Sequence, residues 1–580
     1  MRIRIWAAGA AVCFGSLLTA SASQAADYYV SPSGSDANPG TMAQPFGTVQ
    51  KAVDAPSPGD TVWFRAGTYK SSKQIRITKS GTSDAQRINF FAYQGEVPVI
   101  DFSTYVSSNT ASDQPTILIT GSWLHLKGLE VANGAVQPSG SHSNDAIRSS
   151  NTHDNIFELL NIHHNFGPGL FIDGGTGGHL ILNCDSHDNY DKDGSQGDGQ
   201  NGDGFGVHYQ MTGPSTVLRG NRAWINSDDG YDLISQEVPV IIENCWAVMN
   251  GYANGGSTRP SSGNGNGFKA GSSKTGIRHV LQQNVAWKNG AAGFYANHSS
   301  GGNTWLNNTS YMNSVQYNML ASPADDTSMT ITLTGALAHK MRNNIGFPNK
   351  NTNMGGVDSQ FNTWDLGISE AGGDFASTMD TGYAGPRQAD GSLPNLNFMK
   401  LAAGSPLIDK GTDVQLPFAG AKPDLGAYEY GLATNTGAGG ATGSGGTSAT
   451  GGTSGAGGAG TTGRAGSGGG AAAGSTGNRG GATGTGTGGI VGVTGSGGVV
   501  GTGTGGAPGS GGAIATGGST PGTGGAATGG SPGAGTGGAV TPGGTGGDSG
   551  CSCAIAPRAA GAWLPLFALA LVPVFRRRRR

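Results

Sequence analysis

The chain has 580 residues, 108 of them glycine, and its 34 Lys and Arg nearly balance its 37 Asp and Glu. The balance is not uniform, because residues 26–430 contain 24 basic and 36 acidic side chains, a net charge of −12. This charge excludes nucleic acid as the ligand of that part, and an anionic polymer could bind there only through a bridging cation.

Residues 1–25 have the pattern of a signal peptide. Arg2 and Arg4 form a basic start, an apolar stretch follows, and residues 23–25 supply the small side chains of a cleavage site. A short membrane anchor is the alternative, although the apolar run is too short to span a bilayer comfortably. We therefore expect the chain to be secreted or displayed at the cell surface.

The next elements are a predicted strand at 28–30, a helix near 48–55 and a strand around 61–64. This helix precedes a repeat in the sequence. A helix that covers the open end of a stacked repeat is typical of a solenoid cap.

The repeat is marked by asparagines that each end a short apolar segment. Successive members are 24, 37, 24, 39 and 24 residues apart, which fits a unit of 24 with two insertions: Asn165, Asn189, Asn226, Asn250, Asn289 and Asn313. Asparagine tolerates the left-handed backbone that sharp bends need, and stacked asparagines can bond to each other. We therefore expect these residues to form one row at a corner of the fold.

A second short segment follows each asparagine. Its middle residue is apolar or aromatic: Leu170, Phe205, Tyr231, Phe268, Phe294 and Tyr317. Short strands with a fixed period of about 24 predict an all-β fold, a parallel β-helix solenoid in which stacked coils bury a continuous core. A helical solenoid is the alternative, but the apolar spacing follows a period of two and not of 3.6.

Two cysteines occupy one position of the repeat, five residues before their asparagines. Cys184 and Cys245 are separated there by Asn221 and therefore lie two coils apart. Two strand spacings are roughly 9–10 Å, which is too far for a disulfide. We expect two free buried thiols.

Three tryptophans, Trp224, Trp246 and Trp287, also fall in the middle of repeat segments, at what we take to be one position. We expect them to pack against other side chains and not to stack on sugars. The segment from Ser405 to Tyr428 is predicted to close the last coil.

Charged residues converge when the coils are stacked. One position holds Asp203 and Asp229 on neighbouring coils, and the position three residues later holds Asp232 and then Lys269, with Asp228 beside Asp229. Four carboxylates so close together repel each other by several kcal/mol, in order of magnitude, unless a cation joins them. Ca²⁺ suits an all-oxygen ligand set, and the absence of His and Cys from the group argues against zinc. A purely structural calcium is the alternative.

The same residues resemble the active site of pectate lyase family nine, in the segments NGDGF (201–205), NSDDGYD (226–232) and GNGFK (265–269). The resemblance implies a right-handed parallel β-helix over residues 26–430, a polyuronate substrate such as pectate, and cleavage by β-elimination. It further implies that Ca²⁺ is bound by Asp203, Asp228, Asp229 and Asp232 and that Lys269 is the Brønsted base. A monomer is expected.

Two other functions remain open at this point. A β-helix glycoside hydrolase of the polygalacturonase type would use Asp228 and Asp229 as acid and base, but the G-H-G and R-I-K motifs of that family are absent. A surface adhesin with structural calcium is the other alternative, and it gives no reason for Lys269 to align with four aspartates.

The last 150 residues differ in composition from the rest. Residues 431–549 are almost entirely Gly, Thr, Ser and Ala, which is typical of a flexible linker. Residues 550–580 contain Cys551 and Cys553, an apolar run at 559–575 and five arginines at 576–580. This ending resembles the C-terminal sorting tails of myxobacterial surface proteins, which implies at least transient contact with a membrane; a plain tail anchor is the alternative.

Overall fold

The structure, a computed structural model, describes residues 25–432 except 108–111, 136–139, 141 and 273. The predicted signal peptide (but for its last residue), the predicted linker beyond residue 432 and the predicted sorting tail lie outside the described residues. No helix among the described residues is long and apolar enough to cross a membrane.

Three parallel sheets run along one axis, and the chain visits them in a fixed order. The first contains twelve strands of the described residues: Asp27–Val30, Thr61–Phe64, Ile88–Ala92, Leu124–Lys127, Ile156–Glu158, Leu180–Leu182, Thr216–Arg219, Val240–Glu243, Val280–Gln282, Thr304–Leu306, His339–Arg342 and Val357–Gln360. Each strand pairs in parallel with the strand one coil away. This is the predicted parallel β-helix.

The second sheet follows the first within each coil. Its ten strands among the described residues are Gly67–Lys70, Pro98–Asp101, Glu130–Ala132, Asn161–His163, Asp185–His187, Arg222–Trp224, Trp246–Val248, Val285–Trp287, Thr309–Tyr311 and Ile345–Phe347.

The third sheet completes each coil and carries the charged residues singled out above. Its ten described strands are Ile75–Ile77, Ile117–Ile119, Ile147–Ser150, Leu170–Asp173, Phe205–His208, Tyr231–Gln236, Phe268–Ser272, Ala292–Tyr295, Val315–Asn318 and Asn351–Thr352.

The predicted cap is confirmed. An α-helix spans Val49–Asp54, and Thr48 Oγ1 accepts a hydrogen bond from the Lys51 N–H at its start, which satisfies one unpaired donor of the first turn. The helix buries Val49, Ala52 and Val53 against the first coils. Short 3₁₀ helices occur at Asp84–Gln86, Gly335–Leu337, Met354–Gly356 and Gly372–Asp374.

The predicted aromatic stack is also confirmed. Side chains of the third sheet alternate between the interior and the outer face, and the inward rings of Phe205, Tyr231, Phe268, Phe294 and Tyr317 stack at centroid distances of 5.3, 4.6, 5.0 and 5.0 Å. All five rings are fully buried. The alternation leaves every second residue of these strands on the outer face, where the charged residues lie.

The asparagine row forms as predicted, at the corner between the second and third sheets. Each side-chain amide donates to the next asparagine's Oδ1 at 2.8–3.0 Å, from Asn165 through to Asn313. The left-handed backbone at this corner is not adopted by these asparagines, however. The residue before each one does so, for example His164 and Ile225 with φ of 56° and 55°. The asparagine itself keeps ordinary backbone geometry, and its side chain bonds along the row.

A second row occupies the corner between the first and second sheets and contains both cysteines. The Cys184 N–H donates to Asn221 Oδ1 at 2.7 Å, and the Cys245 N–H donates to Asn284 Oδ1 at 2.9 Å. Both thiols are free and buried, as predicted. Their sulfurs accept backbone N–H groups where asparagine oxygens would otherwise do so.

A third row lies at the start of the first sheet and uses histidine in place of asparagine. Nδ1 of His179, His279 and His339 accepts the backbone N–H of Asn155, Val240 and Asn303, respectively. Burial lowers the pKa of His179 and of His279 to about 4 and that of His339 to about 3. These imidazoles are therefore neutral acceptors at the corner.

The predicted segment, Ser405 to Tyr428, lies against the last coil, where the Gly426 N–H donates to Asn343 O and the Thr412 N–H donates to Asn343 Oδ1. The longer segment that follows the last strand also reaches beyond that coil. Its apolar residues Phe375, Phe398 and Leu407 pack across the outer face of the second sheet, over Trp224 and Trp287. The segment was hard to place from sequence because it carries no repeat.

A shared carboxylate fastens this segment to the coils. Asp185 is paired with Arg222 of the next coil and with Arg387 of the segment, both at 2.6 Å. Arg222 also donates to the carbonyl oxygens of Tyr383 and Gly385.

The three tryptophans are buried, as the packing prediction requires. They do not share one repeat position: Trp224 and Trp287 both align with Val248, whereas Trp246 aligns with Arg222 and Val285. Trp246 donates to Tyr428 Oη at 3.0 Å, and Trp287 donates to Asp380 Oδ2 at 2.9 Å. The indole N–H groups of Trp246 and Trp287 therefore hold the C-terminal segment.

The histidine row predicts that the fold loses stability in mild acid. The three folded pKa values lie below the usual 6.5, so the unfolded chain binds more protons as the pH falls from about 6.5 to about 4, and the free energy of unfolding decreases. The lowering of the His279 pKa from 6.5 to about 4 corresponds to about 3 kcal/mol of unfolding free energy. His279→Asn keeps an acceptor for the Val240 N–H but has no imidazole to protonate. Between pH 6.5 and 4, the variant should therefore lose less unfolding free energy than the unsubstituted chain, by up to about 3 kcal/mol.

Urea unfolding followed by circular dichroism at several pH values measures the effect. His153→Asn is the control, since His153 is partly exposed and outside the row. Equal pH dependence in His279→Asn and the unsubstituted chain would contradict the neutral-acceptor role.

Candidate active site

The charged residues meet on the outer face of the third sheet. Asp232 and Lys269 are direct partners on neighbouring strands, and the same position holds Gly206 one coil earlier and Tyr295 one coil later. This confirms the predicted alignment. Because the position faces away from the core, its side chains lie on the outer face of the third sheet.

A second set of contacts runs just ahead of the strands. The Asp229 N–H donates to Asp203 Oδ1 at 3.0 Å, and Asn266 donates to Asp229 Oδ1 through its backbone at 2.6 Å and through its side chain at 2.9 Å. Asn266 Oδ1 in turn accepts the Ala292 N–H. The aspartates therefore stand one coil apart, as predicted, and each is oriented by the backbone of its neighbour.

Asp203, Asp229 and Asp232 are all buried, and each offers a carboxylate oxygen within 4.8 Å of the other two. Asp228 is buried nearby but is not part of this group. Its Oδ1 accepts the Asn264 N–H at 2.5 Å. Three of the four predicted ligands thus converge, and the fourth is held beside them by the loop that ends at Asn264.

Lys269 is almost fully buried and reaches into the cluster. Its Nζ lies 3.0 Å from Asp229 Oδ2 and 3.3 Å from Asp232 Oδ2. The contact with Asp232 has hydrogen-bond geometry, whereas the contact with Asp229 has only the distance of an ion pair. Lys269 is thus the counter-charge that this chain itself supplies to the cluster.

The electrostatics are those of a charge cluster removed from water. Burial, reinforced by neighbouring carboxylates, raises the pKa of Asp203, Asp228 and Asp229. Burial acts on Asp232 in the same direction, but Lys269 and His208 outweigh it and hold the pKa of Asp232 below its usual value. Burial would also favour a neutral Lys269, yet the aspartates, Asp229 foremost, hold its pKa well above normal.

The cluster fits a hard divalent cation. Its donors are all carboxylate oxygens, and two buried ones, Asp229 Oδ2 and Asp232 Oδ1, accept no hydrogen bond. Buried polar atoms are normally paired, yet Asp232 Oδ1 has no hydrogen bond and Asp229 Oδ2 has only the Lys269 ammonium at 3.0 Å, so the buried carboxylates exceed the positive charge beside them and a cation would complete the site. Oxygen-only ligands of irregular geometry favour Ca²⁺.

Sequence reasoning missed one neighbour of the cluster. His208 Nε2 lies 3.4 Å from Asp232 Oδ2, and the His208 ring packs edge-on against Phe171 at 4.7 Å. Phe171 extends over Gly206, where an added Cβ would come 2.5 Å from the phenyl ring. The alternation of two could have placed His208 on this face, because it stands two residues after Gly206, but not its distance to Asp232.

Known proteins are similar to this chain in sequence and in fold. A family model described as the Pel9A-like, right-handed β-helix region matches residues 28–353. Pectate lyase L of Dickeya dadantii (strain 3937) is 34% identical over 423 residues, which cover 71% of this chain and 92% of the relative.

Two solved structures extend the comparison. The crystal structure of pectate lyase Pel9A matches with a TM-score of 0.59 at 32% identity, over 70% of this chain and 97% of that one. A rhamnogalacturonan lyase matches with a TM-score of 0.58 at 29% identity, over 65% of this chain and 96% of that one.

The cluster's geometry predicts that Asn266 stabilises the buried carboxylate of Asp229. Asn266→Ala removes the side-chain donor to Asp229 and the acceptor of the Ala292 N–H but leaves the backbone donor. We expect a loss of roughly 1.5–3 kcal/mol from the hydrogen bond to the charged group, with any loss at Ala292 in addition. Chemical unfolding measures the loss. Asn395→Ala, at an exposed asparagine far from the cluster, is the control. Equal stability of the two variants would show that Asn266 does not support Asp229.

Proposed function

We propose the finer features of the activity from one premise: the chain belongs to the Pel9A-like right-handed β-helix family and is a pectate lyase-like polysaccharide lyase. The proposed reaction is calcium-dependent β-elimination on a pectate-like polyuronate, with Lys269 as the Brønsted base. The observation that carries it is the buried trio Asp203, Asp229 and Asp232 with the lysine ammonium at 3.0–3.3 Å.

Asp203, Asp229 and Asp232 would hold the cation, with Asp228 as a fourth ligand beside them. When bound, Ca²⁺ would neutralise the uronate carboxylate and so make the neighbouring C5–H bond more acidic. An acidic chain segment of net charge −12 could in this way accept a polyanion.

Lys269 would take the C5 proton at Nζ, for which it must first release a proton of its own. The electron pair of the broken C5–H bond becomes the C4=C5 double bond, and the C4–O4 bond breaks. The departing sugar oxygen takes a proton from water. The chain then carries a 4,5-unsaturated uronate at the new non-reducing end, and Lys269 returns its proton to solvent.

The substrate is proposed as pectate because the relatives at 34% and 32% identity carry that name. The hydrolase alternative would require Asp228 and Asp229 as acid and base. Both carboxylates are buried, Asp228 accepts a backbone N–H, and Asp229 Oδ2 lies against Lys269, an arrangement that leaves neither exposed to an attacking water.

We also propose that the chain is exported as a monomer and that residues 550–580 contact a membrane at least transiently. Support comes from the sequence of residues 1–25, from the apolar run at 559–575 and from the arginines after it. Finding the chain in the cytoplasm with residues 1–25 intact would contradict export.

Replacement of Lys269 tests the base. Lys269→Ala should lower kcat on polygalacturonate by about 100-fold or more, because a positioned base contributes roughly 10²–10⁴-fold. Lys269→Arg should recover little, since guanidinium holds its proton far more tightly. The ultraviolet absorbance of the unsaturated product measures the rate. Unsaturated product at the unsubstituted rate would remove Lys269 as the base, and new reducing ends without this absorbance would indicate a hydrolase.

Removal of calcium tests the cation. Calcium should raise the unfolding temperature of the full chain above its value in chelator, since a ligand at 100 times its Kd stabilises by about 2.7 kcal/mol. Asp229→Asn should need more calcium for the same increase and should regain part of its activity at high calcium.

The matched control for this titration is Asp54→Asn, because Asp54 is an exposed carboxylate on the cap helix. It should respond to calcium as the unsubstituted chain does. Full activity of the unsubstituted chain in chelator would contradict calcium dependence.

A further inference from the structure

Arg259 differs from every other arginine in the part of the chain that the structure describes. Each of the others donates hydrogen bonds, for instance Arg148 to Asp145 and Asp113, and Arg342 to Asp358. Arg259 is exposed and has neither a hydrogen bond nor an ion pair. Its guanidinium instead makes a cation–π contact with Tyr252, whose ring centroid is 5.6 Å from the guanidinium carbon. In a segment of net charge −12, an unpaired arginine is unexpected.

The guanidinium rests on two glycines of neighbouring coils. A Cβ at residue 290 would come 1.7 Å from Arg259 Nη1, and one at residue 251 would come 3.4 Å from it. Gly290 does not have a positive φ, so its backbone does not demand glycine. The missing side chain at 290 instead leaves room for the guanidinium.

The loop that carries Arg259 leads directly into the catalytic cluster. It leaves the asparagine row after Asn250 and returns at Asn264, whose N–H donates to Asp228, and at Asn266, which donates to Asp229. The Ala291 N–H donates to Gly265 O, and the Gly290 N–H donates to Asn250 O. Arg259 therefore stands at the leading edge of the two strands that carry Lys269 and Tyr295.

The distance to the reaction centre suits a neighbouring sugar. Gly290 precedes Tyr295, the strand partner of Lys269, by five residues, a reach of at most about 17 Å. That reach lies within a short oligouronate. Arginine presents a planar fork of donors that matches a carboxylate in a bidentate manner.

We propose that Arg259 binds the carboxylate of a uronate residue next to the one that reacts, on the side of the coil that follows Lys269. The proposal rests on the proposed polyuronate substrate. Arg259 would act on substrate affinity and on the requirement for free carboxylates, and it would leave the elimination step itself to Lys269.

The test compares three full-length variants by the ultraviolet absorbance of unsaturated product. Arg259→Gln should raise KM for polygalacturonate about 10-fold and change kcat by less than about 2-fold, the pattern of lost uniform binding. Arg259→Lys should recover part of the affinity. Arg76→Gln is the control, because Arg76 is exposed on the same sheet, six strands or roughly 29 Å from Lys269.

Methyl-esterified polygalacturonate gives the second arm. Esterification removes the charge that Arg259 would bind, so the ratio of kcat/KM between the unsubstituted chain and Arg259→Gln should fall toward one as ester content rises. An arginine with a merely structural role would give the same ratio on both polymers. An unchanged KM in Arg259→Gln, or a loss of kcat together with calcium affinity, would overturn the proposal.

A binding measurement separates this proposal from the proposed function. In the Lys269→Ala background, saturated oligogalacturonate should bind about 10-fold more weakly when Arg259 is also changed to Gln. If the unsubstituted chain forms no unsaturated product, the proposed reaction fails, and this binding comparison still decides the role of Arg259. Equal affinity of the Lys269→Ala variant with and without Arg259→Gln would overturn the proposed role of Arg259.

Discussion

The hydrogen bonds that join one coil to the next at the asparagine row are the constraint on which the site depends. They fix the rotation of each coil about the axis, whatever length of chain lies between successive asparagines. Asp203, Asp229 and Asn266 are separated by 26 and 37 residues, yet each bonds to the next. The row asparagines that precede them, Asn189, Asn226 and Asn250, are joined in the same order. The cluster is therefore a consequence of register, since a slip of one residue would turn its side chains to the opposite face.

The longer coils give the site its surroundings. The insertion that ends at Asp203 and the insertion that ends at Asn264 pack on each other through the Ser262 N–H, which donates to Asp198 O at 3.0 Å. The first insertion is also held by Ser227, whose Oγ donates to Gly199 O at 3.0 Å. The regular coils place the aspartates, and these loops cover and orient them. Burial follows from the loops, and burial makes the unpaired carboxylate oxygens costly enough to indicate a cation.

The sequence predicted the parts of the molecule that obey the repeat. A 24-residue period with an alternation of two was enough for the asparagine row, the aromatic stack, the free cysteines and the pairing of Asp232 with Lys269. The parts outside the repeat were not predictable: the C-terminal segment lies across the second sheet, and Trp246 occupies a different position from Trp224. His208 obeys the alternation, but only the folded distance to Asp232 shows that it belongs to the cluster.

The pairing of most described arginines with carboxylates bears on how the proposed substrate would be selected. A surface rich in lysine would hold any polyanion, because a diffuse field responds to charge density and not to its spacing. Here most arginines are neutralised by carboxylates, and Lys269 and Arg259 stand on or beside the same pair of strands. The coil spacing sets the separation of these charges. On the proposed roles, a polymer whose neighbouring uronates place one carboxylate at the cation site beside Lys269 and the next at Arg259 would satisfy both, whereas one in which neutral sugars alternate with uronates would place an uncharged ring at one of them. On this proposal, the stacking of the coils would let a few charges select a polymer by the spacing of its carboxylates, without a general positive field.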